Sequence, residues 1–215
     1  MLRFALLLVL ATAAAAQSGL VEQYTQAIRN GGSTPELHVR RGMARFVAND
    51  VKGSIEDFDR AAELQPAVAP QLWQRGISYY YVGEYRKGYQ QFELHQTVNP
   101  NDVENGAWHF LCLARAEGVD EARKRALPIG RDGRIPMAEV WKLFRGEATA
   151  EQVMARAEQD GSPDALLYAR LYLGLYYAAL GDSAKEREYI AAAAKDAPAH
   201  YMGSVARVHA KFLGL

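Results

Sequence analysis

The sequence has a single cysteine and no excess of charge of either sign. Cys112 is the only cysteine in 215 residues, so the chain can form neither an intramolecular disulfide nor a cysteine-rich zinc site. Its 25 basic and 25 acidic residues give a formal net charge of zero. This balance disfavours nucleic acid and acidic lipid surfaces as partners. Stability must therefore come from burial of the 49% of residues that are hydrophobic.

Sequence signatures of catalysis are also missing. No HExxH, Gly-x-Ser-x-Gly or P-loop pattern occurs. The histidines fall on different predicted helices without metal-ligand spacing: His38, His95, His109, His200 and His209. We therefore expect a protein that is not an enzyme and needs no cofactor or metal. A hydrolase that uses His109 and His95, with Glu93 and Glu104 nearby, is the alternative from the enzyme class.

A long apolar run occurs only at the N-terminus. Arg3 precedes an apolar run from Phe4 to Ala16, and the small residues at its end offer a cleavage site before Gln17. This arrangement predicts a Sec-type signal peptide over residues 1–16, and the run is shorter than the roughly twenty residues that cross a bilayer. No cysteine stands at the cleavage point, so no lipid anchor is expected. We expect an exported chain, periplasmic or secreted, with no membrane span after cleavage.

Three pairs of residues stand 34 positions apart: Gly42 and Gly76, Phe58 and Phe92, and Pro66 and Pro100. This is the period of the tetratricopeptide repeat (TPR), a helix-turn-helix unit. Its glycines let two helices approach closely, and its aromatic residues fill the space between successive hairpins. The spacing predicts an all-α protein, a TPR α-solenoid. We expect a right-handed superhelix of about four hairpins with helical caps.

The repeat frame divides the chain into segments. We expect an N-terminal capping helix in 17–34, two regular TPR units in 35–102, degenerate TPR-like helical hairpins in 103–162, a TPR unit in 163–198 and a C-terminal capping helix in 199–215. Within them, Asn101 followed by Glu104 predicts a capping box that starts a helix. The charged turn Arg131–Arg134 has no assigned role.

Several runs of residues resemble the NlpI-type TPR proteins of the bacterial cell envelope. The likeness covers roughly residues 70–205 and rests on Gln74–Gly76 with Tyr79–Tyr81, Asn99–Asp102, Trp108, Val140–Gly146 with Gln152–Met154, and Tyr172–Tyr177 with Leu180–Asp182. It implies an all-helical, often homodimeric scaffold that docks peptidoglycan hydrolases and presents one of them to a periplasmic protease. Those relatives are lipoproteins, whereas this sequence lacks the lipobox cysteine, and it has fewer N-terminal repeats.

The first helix of each TPR unit lines the concave face of the stack. Its inward positions predict a peptide-binding groove lined by Arg40, Met43, Trp73, Gln74, Ile77, Tyr80, Tyr81, Trp108, His109, Arg115 and Tyr172, with Phe46, Cys112 and Leu175 beside them. This aromatic, mildly basic lining suits an extended or helical segment of a protein client. We expect a non-catalytic adaptor or scaffold that binds clients there, such as envelope hydrolases or proteases.

Several interpretations remain open at the level of sequence. Tyr79, Tyr80, Tyr176 and Tyr177 can belong to the core between hairpins, or can form faces through which a self-associating scaffold makes a homodimer. The pair at Arg41 and Arg75, again 34 apart, can clamp a client's carboxylate or brace acidic neighbours. Trp73 and Trp108, repeated at one inward position, favour the groove.

Overall fold

The computed structural model describes residues 19–215, which form α-helices and one short 3₁₀ helix. No β-strand occurs in that range, so the all-α prediction is confirmed. The predicted signal peptide lies outside the described residues. Helix α1 covers 19–29, and the later elements are α2 Pro35–Val47, α3 Val51–Leu64, the 3₁₀ helix η1 Pro66–Gln71, α4 Trp73–Tyr81, α5 Tyr85–Gln96, α6 Val103–Glu117, α7 Val119–Lys124, α8 Met137–Arg145, α9 Ala150–Asp160, α10 Pro163–Leu180, α11 Ser183–Lys195 and α12 Tyr201–Phe212.

Consecutive helices pack against one another along the described chain. The tightest partners are α2 with α3, α4 with α5, α5 with α6, and α10 with α11. Contacts between non-consecutive helices add to this order: α10 packs on α6 and on α8, and α12 reaches back to α2. The C-terminal helix therefore meets the first hairpin, whereas the sequence predicts that it caps the far end. Between residues 19 and 215, no helix has the length and apolar character needed to cross a membrane.

A glycine in the first helix faces a large side chain in the second helix of three hairpins. A Cβ added to Gly42 would lie 2.9 Å from the Phe58 ring, and one added to Gly76 would lie 2.6 Å from the Phe92 ring. At Gly174 the neighbour is Ile190, at 2.7 Å. Any larger residue would push the two helices apart. The close approach predicted from the 34-residue spacing is therefore present.

Two arginines repeat a second contact across the same hairpins. Arg41 holds the buried carboxylate of Asp57, with Nε 2.9 Å from Oδ2. Arg75 donates to the side-chain oxygen of Gln91, with Nε at 2.9 Å, and also pairs with Asp59 at 3.1 Å. Both guanidinium groups brace their own hairpins, and Arg75 also ties its hairpin to α3 of the preceding one. The bracing role proposed for this pair is present, and the carboxylate-clamp alternative is not supported.

Helix α6 begins one residue later than its predicted cap requires. Asp102 is the N-cap, and its carboxylate accepts a hydrogen bond from the backbone N–H of Glu104 at 3.0 Å. The capping box predicted from Asn101 and Glu104 is therefore wrong. The Glu104 side chain turns instead toward Tyr172, whose hydroxyl donates to it at 2.7 Å, and toward Arg134.

Replacing Gly76 with alanine should lower the free energy of unfolding by about 1–3 kcal/mol, because the new Cβ would overlap the Phe92 ring. Gly133→Ala is the matched control, since no atom lies within 4 Å of its added Cβ. Urea unfolding followed by circular dichroism measures the free energy of unfolding of both variants. Equal stability of the two variants would show that the contact does not constrain the hairpin. Phe92→Leu added to Gly76→Ala should recover part of the loss.

Candidate functional site

The C-terminal helix lies on the aromatic residues that were predicted to face a client. We call Phe46, Trp73 and Tyr81 the inner aromatic face. Tyr201 stacks on Phe46 with ring centroids 5.6 Å apart and meets Trp73 edge-on at 5.2 Å. Phe212 meets Tyr81 at 6.0 Å. The chain's own α12 therefore occupies the space that an open groove would offer.

A buried histidine fastens this helix to two others. His209 is 2% exposed, and its Nδ1 lies 2.9 Å from the hydroxyl of Tyr81 in α4. Its Nε2 lies 3.0 Å from a carboxylate oxygen of Glu186 in α11. Since a carboxylate only accepts, Nε2 donates to Glu186 and Nδ1 accepts from Tyr81. One imidazole thus links α4, α11 and α12.

Burial separates the predicted groove residues into three groups. Six are buried: Gln74, Ile77, Tyr80, Trp108, His109 and Tyr172. Phe46, Cys112 and Leu175 are buried as well. Arg40 and Arg115 are exposed, while Met43, Trp73 and Tyr81 are partly buried. The expected groove along the whole inner face is therefore absent, because α12 and the neighbouring hairpins cover most of it.

An open cleft remains at the N-terminal end, between α2 and the segment η1–α4. It has a volume of about 300 Å³ and is lined by Pro35, Glu36, Val39, Arg40, Val68, Gln71, Leu72 and Gln74. We call it the N-terminal cleft. Two predicted peptide-binding residues, Arg40 and Gln74, meet here. The apolar lining was not predicted, because it depends on η1, which lies where the repeat pattern predicts only a break at Pro66.

The Gln74 amide gives the N-terminal cleft its polar character. Its Nε2 lies 3.8 Å from the sulfur of Met43, and its Oε1 is buried with no hydrogen-bond partner among the described residues. At the rim, Arg40 pairs with Glu36 at 2.6 Å in the same helix. The cleft therefore offers an apolar floor, one unused acceptor and one exposed ion pair.

A second, smaller cleft brings Trp73 and Trp108 together. It has a volume of about 30 Å³, and the residues that share it are Trp73, Phe92, His95, Asp102, Glu104, Asn105 and Trp108. We call it the tryptophan cleft. Both indoles thus adjoin one space. Trp108 is 1% exposed, however, so only Trp73 lies at the mouth.

An acidic cluster borders the tryptophan cleft. Arg134 contacts Asp102 and Glu104 and lies 2.6 Å from Asp132, so it neutralises part of their charge. Burial raises the pKa of Glu104 to about 7, although the positive charge of Arg134 opposes the shift. The turn that the sequence leaves without a role thus returns to the start of α6.

The two histidines proposed for a hydrolase bond to different partners. His95 donates from Nδ1 to the carbonyl oxygen of Pro70 at 2.8 Å, and His109 lies 3.4 Å from Glu93. Burial lowers the pKa of His109, and burial also raises the pKa of the Cys112 thiol, which faces Gly88. No group of three His, Cys, Asp or Glu side chains in residues 19–215 is placed to hold a metal ion.

No protein-family model matches the chain. What the molecule binds must therefore be inferred from its surface. Two features of the described chain are available for this: the open N-terminal cleft, and the polar tryptophan cleft.

Stability should fall between about pH 4.5 and 7 because of Glu104. Since its pKa is raised from 4.5 to about 7, the folded chain holds this proton more tightly than the unfolded chain, and the advantage disappears as pH rises through that window. Glu104→Gln should remove on the order of 2 kcal/mol of this pH dependence, given about 1.4 kcal/mol per pKa unit and some solvent contact.

Urea unfolding of wild type and Glu104→Gln at several pH values between 4 and 8 measures the difference. Glu36→Gln is the control, because Glu36 is an exposed carboxylate that also pairs with an arginine. Parallel stability curves for wild type and Glu104→Gln would contradict the raised pKa.

Proposed function

We propose that the chain is an exported, non-catalytic TPR-type adaptor that binds a peptide segment of a client protein in the N-terminal cleft. The single observation that carries this proposal is the position of Gln74, a residue that lines a cleft of about 300 Å³ and whose buried Oε1 has no partner among the described residues. Peptide backbone N–H groups are the commonest donors that such an acceptor can meet.

The repeated hairpin contacts support the TPR assignment. Gly42 with Phe58 and Gly76 with Phe92 use the same positions of two units that are 34 residues apart. Arg41 and Arg75 repeat as well, each bonded to a residue 16 positions later. Repeats of this kind usually present the first helices of their hairpins to a client.

The cleft has the size and lining of a site for a short peptide stretch. Its volume is at the lower end of the range of about 300–1,000 Å³ typical of ligand pockets. Val39, Val68 and Leu72 offer apolar contact, and Arg40 offers a charge at the rim. An apolar side chain can therefore enter while the peptide backbone donates to Gln74.

The resemblance to NlpI-type proteins suggests the class of client. Envelope hydrolases or proteases would meet an exported adaptor in the periplasm or outside the cell. A homodimeric scaffold built on tyrosine-rich faces has less support, since Tyr79, Tyr80 and Tyr176 are each only 8% exposed. The tyrosines belong mainly to the core, as the alternative interpretation of the sequence holds.

Replacing Arg40 or Gln74 in the N-terminal cleft should weaken peptide binding. Peptides selected on the wild-type protein from a displayed library should bind Arg40→Glu and Gln74→Leu about tenfold more weakly, because each variant loses a contact worth about 1 kcal/mol or adds repulsion. Arg60→Glu is the matched control: Arg60 is as exposed as Arg40 and pairs in the same way, with Glu63.

Isothermal titration calorimetry measures these affinities. Failure to select any peptide, or equal weakening by Arg60→Glu, would contradict a peptide site in the N-terminal cleft.

Export should depend on the apolar run before Gln17. In a bacterial host, the recovered chain should begin at Gln17, as read by intact mass. Leu7→Arg places a charge within the apolar run and should leave full-length precursor in the cells, whereas Arg3→Lys keeps the positive charge and should be processed normally. Recovery of uncleaved wild-type chain would contradict the signal peptide.

A further inference from the structure

Three residues that line the tryptophan cleft each have a buried polar atom without a partner among the described residues. These atoms are Nε2 of His95, Oδ1 of Asn105 and Nε1 of Trp108. The three side chains are 5%, 3% and 1% exposed and come from α5 and α6. A buried polar atom without a partner costs about 1–3 kcal/mol, so three around one cleft call for an occupant.

The hydrogen bonds that these side chains already make determine whether each unpartnered atom is a donor or an acceptor. His95 donates from Nδ1 to the Pro70 carbonyl, which leaves Nε2 as an acceptor in the neutral ring. Asn105 donates from Nδ2 to Gln96 at 2.8 Å, which leaves Oδ1 as an acceptor. The indole Nε1–H of Trp108 can only donate. The cleft thus presents two acceptors and one donor.

Size and charge narrow the choice of occupant. A volume of about 30 Å³ holds about two groups the size of water. A carboxylate would face two acceptors and the acidic neighbours Asp102 and Glu104. An ammonium group would leave the Trp108 N–H facing a cation without an acceptor. A primary carboxamide matches the hydrogen-bonding capacity of all three atoms: its NH₂ can donate to His95 and Asn105, and its oxygen can accept from Trp108.

We propose that the tryptophan cleft is a carboxamide-binding site that takes the side chain of an asparagine or glutamine in a client polypeptide. The head group enters between His95, Asn105 and Trp108, and the stem leaves past Trp73, the partly exposed indole at the mouth. That the carboxamide belongs to a client polypeptide rests on the proposed adaptor function. The preference of the site for a carboxamide does not depend on that function.

The indole N–H signals test this site directly. The chain has three tryptophans, and Trp73→Phe and Trp141→Phe assign the signals by elimination. Acetamide added to ¹⁵N-labelled protein should shift the Trp108 signal in a saturable way, with a dissociation constant on the order of millimolar for so small a ligand. Acetate and methylammonium, of similar size, should leave the signal in place.

Two cleft variants and one control test which atoms are responsible. Asn105→Leu and His95→Phe should each weaken acetamide binding by about tenfold, since each removes one acceptor. Gln90→Leu, the control, changes an exposed residue of α5 that does not line the cleft, and should retain the affinity. Thermal unfolding confirms that each variant is folded, and the wild-type titration needs no variant.

Each outcome decides the proposal. A Trp108 shift specific to acetamide and weakened by either cleft variant supports it. The absence of a saturable shift, or equal shifts from all three ligands, would mean that only water occupies the cleft and overturns it. If acetamide binds but a Gly-Gly-Gln-Gly-Gly peptide does not, a client as the source is overturned. Peptide binding that is weakened by Arg40→Glu would still support the N-terminal cleft, so the two proposals fail separately.

Discussion

Much of the structure depends on the absence of a side chain at three helix positions. Gly42, Gly76 and Gly174 let a ring or branched side chain from the following helix lie almost against the backbone. Phe58 and Phe92 are at most 1% exposed as a result. The two helices of a hairpin are thereby held at one distance. That distance fixes where the opposite face of the first helix lies, and in α2 residues Glu36, Val39 and Arg40 line the N-terminal cleft.

The hairpins could be predicted because their determinants are local and repeat. A glycine, an aromatic residue and a proline at a period of 34 specify which faces of two adjacent helices meet. The position of α12 could not be predicted in this way. Its bond from His209 to Tyr81 spans 128 residues, and an amphipathic last helix has the same pattern whether it covers an end or an inner face.

The polar sites show a second limit of sequence patterns. Nothing in the sequence around Asp102 and Glu104 indicates that Arg134, in a turn about 30 residues later, contacts both of them. In the sequence, the start of α6 therefore resembles an ordinary capping box. Burial changes the outcome: the Glu104 carboxylate binds Tyr172 and Arg134 rather than the helix end. By contrast, the roles of Arg41 and Arg75 could be predicted, since bracing needs only a polar neighbour in the same hairpin.

The covered inner face changes what can determine specificity. With Trp108 and Tyr80 buried, large aromatic anchors are not free to dominate the affinity, as they do at many interfaces. The Arg40 ion pair is exposed and contributes about 1 kcal/mol or less. A buried acceptor such as Gln74 Oε1 discriminates more strongly, because a ligand that fails to donate leaves it desolvated and unpaired. Recognition by this chain should therefore depend on matching hydrogen bonds in small spaces rather than on buried area or charge.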